Sequence, residues 1–351
     1  MLNEKENPIS YTMAQKNILL VFTGGTIGST ATAGTIATSD TTPFKLLQLF
    51  QQHYPEHQQI AFKTIQPLNL LSENLTPVVW ANLIAAIENE QPKQFDGIII
   101  THGTDTLSFT AAALSFYFHA LYLPILLVSS DYPLADGRAN GLANFICAVE
   151  FIRKLQHSGV FVPYRNQGQA MQVHQGVRLA ASLQLSGDFF SVQNKSFMQY
   201  DGTEFSVLNP LKKRQFSEYA FTAKFAERVL LLRPYPGLDY RTVNLDHADV
   251  VLHDLYHSGT ACVSSEWGKQ HSLLEFVKCC QQQDISIYLA PAMESPNAYQ
   301  STRTLVKQGG KILWNISIEA AYVKLLLAHG NFTMETEILA FMEADIAGEH
   351  I

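Results

Sequence analysis

The sequence predicts an α/β fold: an open, mostly parallel sheet in an N-terminal domain, followed by a smaller α/β C-terminal domain. Three observations lead there. Short β-branched runs recur along the chain, helical patterns lie between them, and each run ends in a turn. Continuous apolar strands of this kind suit parallel strands covered on both faces. Size agrees, because 351 residues with 47 % hydrophobic and 16 % charged side chains are enough for two domains.

The strands begin with "ILLVFTGG" (18–25), "DGIIITHGTD" (96–105) and "PILLVSSDYP" (124–133). A helix follows Thr76 as N-cap, with Pro77 at its first position and Val79, Leu83 and Ala86 or Ile87 on one side, and stops before Pro92. A second is expected over 106–122 and a third over 141–155. After Tyr200 the pattern loosens into the polar "DGTEFSVLNPLKKRQFSEYAFTAKF", which places an N-terminal domain at 1–205, a linker at 206–226 and a C-terminal domain at 227–351. Regular alternation resumes with "RVLLLRPYPG", "DVVLHDLYHSG", "ISIYLAPAME" and "KILWN".

Charge narrows the function. With 24 Lys and Arg against 31 acids, a net charge of −7 and no basic run beyond "LKKR" (211–214), nucleic acid is not an expected partner. The polar N-terminal stretch has no signal-like apolar core and "ILLVF" is too short to span a bilayer, so the expectation is a cytoplasmic protein without membrane contact. Cys147, Cys262, Cys279 and Cys280 lack CxxC spacing and read as packing thiols. His253 and His257 stand four apart without an evident third ligand, so neither a metal nor a cofactor is expected.

Ligands of open α/β sheets sit at the carboxyl ends of strands. The turn "TGGTIG" after the first strand fits neither GxGxxG nor GxxxxGK[ST], so it is not a phosphate cradle. Two adjacent glycines instead turn the chain sharply, bring backbone N–H groups near a ligand and present the hydroxyl of Thr26, although plain loops use such turns too. At the next strand end Thr104 and Asp105 stand where a helix begins; a capping role and a catalytic role are both open to them. "SEN" at 72–74, taken alone, is a polar loop before a helix.

Together and in order, "TGGTIGS", "LSENLTP", "HGTDTLSFTAAALSF", "LPILLVSSDYPLADGRANGLANF" and "HDLYHSGTA" closely resemble the bacterial-type L-asparaginase and glutaminase-asparaginase family. The resemblance implies hydrolysis of a side-chain amide: Thr26 attacks the carbonyl, ammonia leaves, and water releases the acid from the ester. It also implies that Thr104 and Asp105 belong to a hydroxyl–carboxylate–lysine relay, that Gly25, Ser72, Glu73 and Gly103 bind substrate, and that Ser130 offers at most a backbone contact. Glu73 with Asp105 would hold an α-ammonium group, and the Ser72 hydroxyl with backbone N–H groups the α-carboxylate. The substrate implied is the amide of a free amino acid, L-asparagine or also L-glutamine, and the protein is expected to self-associate as a homodimer or homotetramer.

Two positions depart from the family. In "GVRLAASLQLSGDFF" Arg178 keeps the register, so Ala181 stands where a lysine completes the relay. In "AGTIATSD" Thr35 stands where a loop tyrosine helps activate the nucleophile. General acid–base assistance is worth about 10²–10⁴ in rate, so a weakened enzyme is expected. A catalytically impaired amino-acid binder and an amidase with a different substrate are the alternatives.

Overall fold

The computed structural model describes residues 15–25, 27, 29–32, 35–38, 42–212 and 219–351, with only the backbone described for 29–32, 35–38 and 42–44. Its elements run β1 (Lys16–Val21), β2 (Ser29–Thr32), β3 (Thr35–Thr38), α1 (Thr42–His53), β4 (Ile60–Ile65), α2 (Pro77–Asn89), β5 (Gly97–Thr101), α3 (Leu107–Tyr117), β6 (Pro124–Val128), α4 (Gly141–Lys154), β7 (Gly159–Tyr164), β8 (Met171–Gln175), β9 (Met198–Tyr200) and β10 (Phe205–Val207). The second half contributes β11 (Val229–Leu232), β12 (Val250–Asp254), α5 (Leu273–Gln282), β13 (Ser286–Ala292), α6 (Gln300–Lys307), β14 (Lys311–Trp314), α7 (Ile318–Asn331) and α8 (Glu335–Glu343).

The first sheet has the order β10-β9-β8-β7-β6-β5-β1-β4, and the second β11-β12-β13-β14. Strands β4, β1, β5, β6 and β7 pair in parallel, with Leu20 opposite Ile99 and Ile99 opposite Leu126. The pairs β7–β8, β8–β9 and β9–β10 are antiparallel. All four strands of the second sheet are parallel, so the expected α/β class and its two unequal sheets are present. Both faces of the large sheet are covered: Leu19, Ile98, Ile100 and Leu127 pack towards α2, α3 and α7, while Ile18, Leu20, Ile99 and Leu126 pack towards α1 and α4. That two-sided burial is why these strands read as unbroken apolar runs.

The chain leaves β1 for β4 on one side and then returns to β5 on the other. The crevice between the carboxyl ends of β1 and β5 is therefore the switch point of the sheet, where such folds bind ligands.

Several expected boundaries shift. Helix α2 begins at Pro77 after Thr76, but Thr76 makes no side-chain capping bond. The second helix ends at Tyr117 rather than at 122, because the chain turns at Phe118, with Leu121 N bonded to Phe118 O at 2.9 Å, to deliver Pro124 to β6. The third ends at Lys154. Strand β10 carries the large sheet to Val207, past the expected start of the linker. Cys147 and Cys280 are buried packing residues and all four cysteines are free, but Cys262 is exposed, so packing does not account for it.

The C-terminal tail is sewn to the large domain. The Lys324 Nζ, fully buried on α7, donates to Glu349 Oε1 at 2.5 Å and to the carbonyls of Met342 and Ala344. Glu349 in turn accepts from the N–H groups of Ile346 and Ala347. Arg178 donates to the carbonyls of Gly348 and His350. Removing one member of a buried ion pair strands the other, at about 3–5 kcal/mol. Lys324→Met is expected to lower unfolding free energy by about that amount in urea denaturation, and Lys324→Met with Glu349→Gln to recover most of it.

Candidate active site

The carboxyl ends of β1 and β5 are laced together. Thr23 Oγ1 donates to Thr101 O at 2.6 Å and Thr23 N donates to Thr101 Oγ1 at 3.3 Å. Beyond Thr23 the turn runs along Leu70: Leu70 N donates to Thr23 O and Gly25 N to Leu70 O, each at 3.0 Å. Gly24 and Gly25 take φ of +102° and +75°, values that glycine adopts without steric cost.

The approach is closer still. A Cβ on Gly25 would lie 2.3 Å from Gly103 N, and one on Gly103 would lie 2.3 Å from Ser72 Oγ and 3.3 Å from Gly25 Cα. Backbones of two motifs thus touch, with the third motif's serine against the second glycine. Only hydrogen in place of a side chain permits it.

Ser72 is buried while Glu73 and Asp105 are exposed and Thr104 is half-buried. The Ser72 hydroxyl accepts from Asp105 N at 3.2 Å and donates to Asp105 Oδ2 at 3.3 Å, and the Thr106 hydroxyl donates to Ser72 O at 3.0 Å. Helix α3 starts after Thr106, which occupies the N-cap position without a side-chain capping bond. Neither Thr104 nor Asp105 is the N-cap, so the capping alternative is not the one the fold uses.

Thr26 lies outside the described residues, as does the side chain of Thr35. The neighbours of Thr26 are described: Gly25 lies against Gly103 and Ile27 is buried. Ser130 is fully buried; its hydroxyl donates to Tyr132 O at 2.5 Å and accepts from Gly141 N at 3.2 Å. Its side chain is engaged within its loop and at the start of α4, which leaves only its backbone for a ligand.

Ala181 has its own surprise. Its N–H donates at 3.2 Å to Glu319 Oε1, a buried carboxylate in the first turn of α7. The segment expected from the resemblance to carry a relay lysine is thus held here by an acid on α7. Among the described residues no lysine or arginine forms an ion pair with Asp105. Lys195 is exposed.

Sequence reasoning missed His102. It is buried, its Nδ1 is 2.7 Å from Gly103 O and its Nε2 is 2.9 Å from Thr110 Oγ1. Burial pushes its pKa down to about 4, against the smaller opposing pulls of the Gly103 bond and the Asp105 charge. The eight-residue spacing of His102 and Thr110 was visible, but the partner on α2, Trp80, was not.

Of the His253 and His257 pair, His253 is buried with Nε2 2.8 Å from Tyr240 Oη; no group of three metal-binding side chains occurs among the described residues. No helix among them is long and apolar enough to cross a membrane. A cavity of about 450 Å³, lined by His157, Gln175, Lys212 and Asp345 among others, lies at the amino end of β7, the opposite end of the sheet from the strand tips that carry the motifs.

Comparison with known proteins gives a consistent picture. The family model "Asparaginase, N-terminal" matches residues 17–211. The D-type subunit of glutamyl-tRNA(Gln) amidotransferase from Methanococcus maripaludis is 27 % identical over 99 % of this chain and 82 % of its own length, and that from Sulfolobus acidocaldarius is 28 % identical over 98 % and 77 %. The thermostable L-asparaginase from Thermococcus kodakarensis superimposes with a TM-score of 0.79 at 25 % identity, covering 95 % of this chain and 99 % of that one. L-asparaginase I from Vibrio cholerae shares the fold, with a TM-score of 0.73 at 23 % identity over 96 % and 100 % of the two chains.

Proposed function

The chain belongs to the asparaginase family, and on that premise we propose that it hydrolyses the side-chain amide of a free amino acid, L-asparagine or L-glutamine, to the acid and ammonia. Thr26 is the nucleophile and Thr104 and Asp105 are what remains of the proton relay. Ser72 and the backbone at Gly25 and Gly103 receive the α-carboxylate, and Glu73 with Asp105 the α-ammonium group. The observation that carries the reading is the convergence of Gly25, Gly103 and Ser72 to van der Waals contact, with Ser72 bonded to Asp105. A substrate carboxylate would replace Asp105 Oδ2 as the acceptor of the Ser72 hydroxyl, freeing that oxygen for the ammonium group.

The reaction is slow in this reading, since neither Ala181 nor Thr35 moves a proton. Ammonia release from L-asparagine, L-glutamine and their D-forms tests it. Release is expected from at least one L-amide, to vanish in Thr26→Ala, and to rise by about tenfold or more in Ala181→Lys, within the range a restored acid–base group supplies. Heat stabilisation by aspartate without any ammonia would instead make the protein a binder. Full activity in Glu73→Ala would move the substrate away from free amino acids.

A second reading follows from the name of the archaeal relatives: the protein serves as part of an amidotransferase with glutamine as the amide donor. Similarity along nearly the whole chain favours it. A strong preference for glutamine over asparagine would separate it from the first. In either case Tyr256, Met293 and Tyr299, exposed beyond β12 and β13, suit self-association, which sedimentation would reveal as a dimer or tetramer.

A further inference from the structure

The buried imidazole next to the site has a hydrogen-bonding arrangement with only one consistent assignment. Trp80 Nε1 is 3.0 Å from Thr110 Oγ1, and an indole nitrogen only donates, so the threonine oxygen accepts there. Gly103 O, 2.7 Å from His102 Nδ1, can only accept, so the proton of the neutral ring sits on Nδ1. Nε2 is then the bare nitrogen, and it accepts the single Thr110 hydrogen at 2.9 Å. The opposite tautomer would set a lone pair against that carbonyl. Trp80, His102 and Thr110 are all buried, so water does not relieve a mismatch.

We propose that His102 is the positioning residue of this site: as the Nδ1–H tautomer, tied through Thr110 to Trp80, it draws the Gly103 carbonyl inward and so turns the Thr104 N–H outward. In a trans peptide the C=O and the following N–H point in opposite directions, so fixing one aims the other. The Thr104 N–H donates to no group among the described residues, which leaves it for a ligand oxygen. Tolerance is small, because Gly103 is wedged between Ser72 Oγ and Gly25 Cα; a tilt of this peptide displaces both neighbouring motifs. What is being positioned rests on the amidohydrolase reading, whereas the positioning itself does not.

Two substitutions divide the imidazole into its halves. Asparagine at 102 places an amide nitrogen near Nδ1 and keeps the donor to Gly103 O; glutamine reaches the Nε2 position and keeps only the side towards Thr110. Nitrogen-15 NMR of the parent protein is expected to show the Nδ1–H tautomer at neutral pH. His102→Asn should retain the Thr104 amide-proton shift, aspartate affinity and any ammonia release within about threefold, while His102→Gln loses roughly 10²-fold, the cost of a misplacement near 1 Å, at a similar melting temperature. An Nε2–H tautomer, or equal losses in both variants that follow their melting temperatures, would overturn the proposal. If the parent releases no ammonia, the amidohydrolase reading fails alone, and the tautomer with the Thr104 shift in the two variants still decides. If neither variant folds, the tautomer of the parent decides.

Discussion

Gly25→Ala is expected to abolish ligand binding and turnover, by at least ~10²-fold, while Gly137→Ala leaves both unchanged. The new methyl carbon would lie 2.3 Å from Gly103 N, 2.6 Å from Gly103 Cα and 2.7 Å from the His102 carbonyl carbon. All three are backbone atoms, so no rotamer change relieves the contact, and the φ of +75° adds strain of about 1–2 kcal/mol for a residue with a Cβ. The two strand tips must separate, and Gly25 moves away from Gly103 and its neighbour Asp105. Gly137 has nothing within 4 Å of its hypothetical Cβ. Equilibrium binding of aspartate, measured beside melting temperature, distinguishes loss of the site from loss of the fold. Unchanged affinity in Gly25→Ala would mean that the two turns do not share a ligand.

The second large effect is acid destabilisation, centred on three imidazoles. Burial pushes His102, His174 and His253 each down to about 4, while the unfolded chain titrates near 6.5. Between those values the unfolded state takes up protons that the folded state refuses, so stability falls as pH drops from about 6.5 towards 4. Each shift of this size corresponds to about 3 kcal/mol. Asp345, raised to about 6 by burial and by the neighbouring Glu349, and Asp254, raised by burial, act in the opposite sense, but His157, His329 and His350, also lowered by burial, add to the loss. Urea denaturation is expected to give a stability several kcal/mol lower at pH 4.5 than at pH 7. A flat profile would mean that water or a compensating charge reaches these rings.

Much of the fold around the candidate site was legible because its parts are local. The runs at 18–25, 96–105 and 124–133 became β1, β5 and β6, and apolar runs that end in glycine turns put Gly25 and Asp105 at neighbouring strand tips without any knowledge of the interior. The expectation of an absent lysine at Ala181 rests on sequence register alone, through Arg178 and Asp188. Strand β4, "IAFKTI", escaped notice because it lies at an edge of the sheet and carries Lys63 and Thr64, which blur its pattern. Strands β8 to β10 are short and antiparallel, and their apolar positions do not form a continuous run.

The remaining omissions are contacts between distant segments. Nothing near Ala181 in sequence announces Glu319, 138 residues further on, and nothing near Lys324 reveals that the last ten residues fold back over it. The contact of Gly25 with Gly103 joins segments far apart in the chain and leaves no trace beyond the glycines themselves. His102 looked like an ordinary member of its motif until Thr110 and Trp80 were seen to decide its tautomer.

A crystal structure of the protein with L-aspartate examines the shared pocket most directly. The ligand is expected with its α-carboxylate on Ser72 Oγ and its ammonium group between Glu73 and Asp105, its side chain directed to the hydroxyl of Thr26. Aspartate bound elsewhere, or these four side chains arranged about separate pockets, would contradict it.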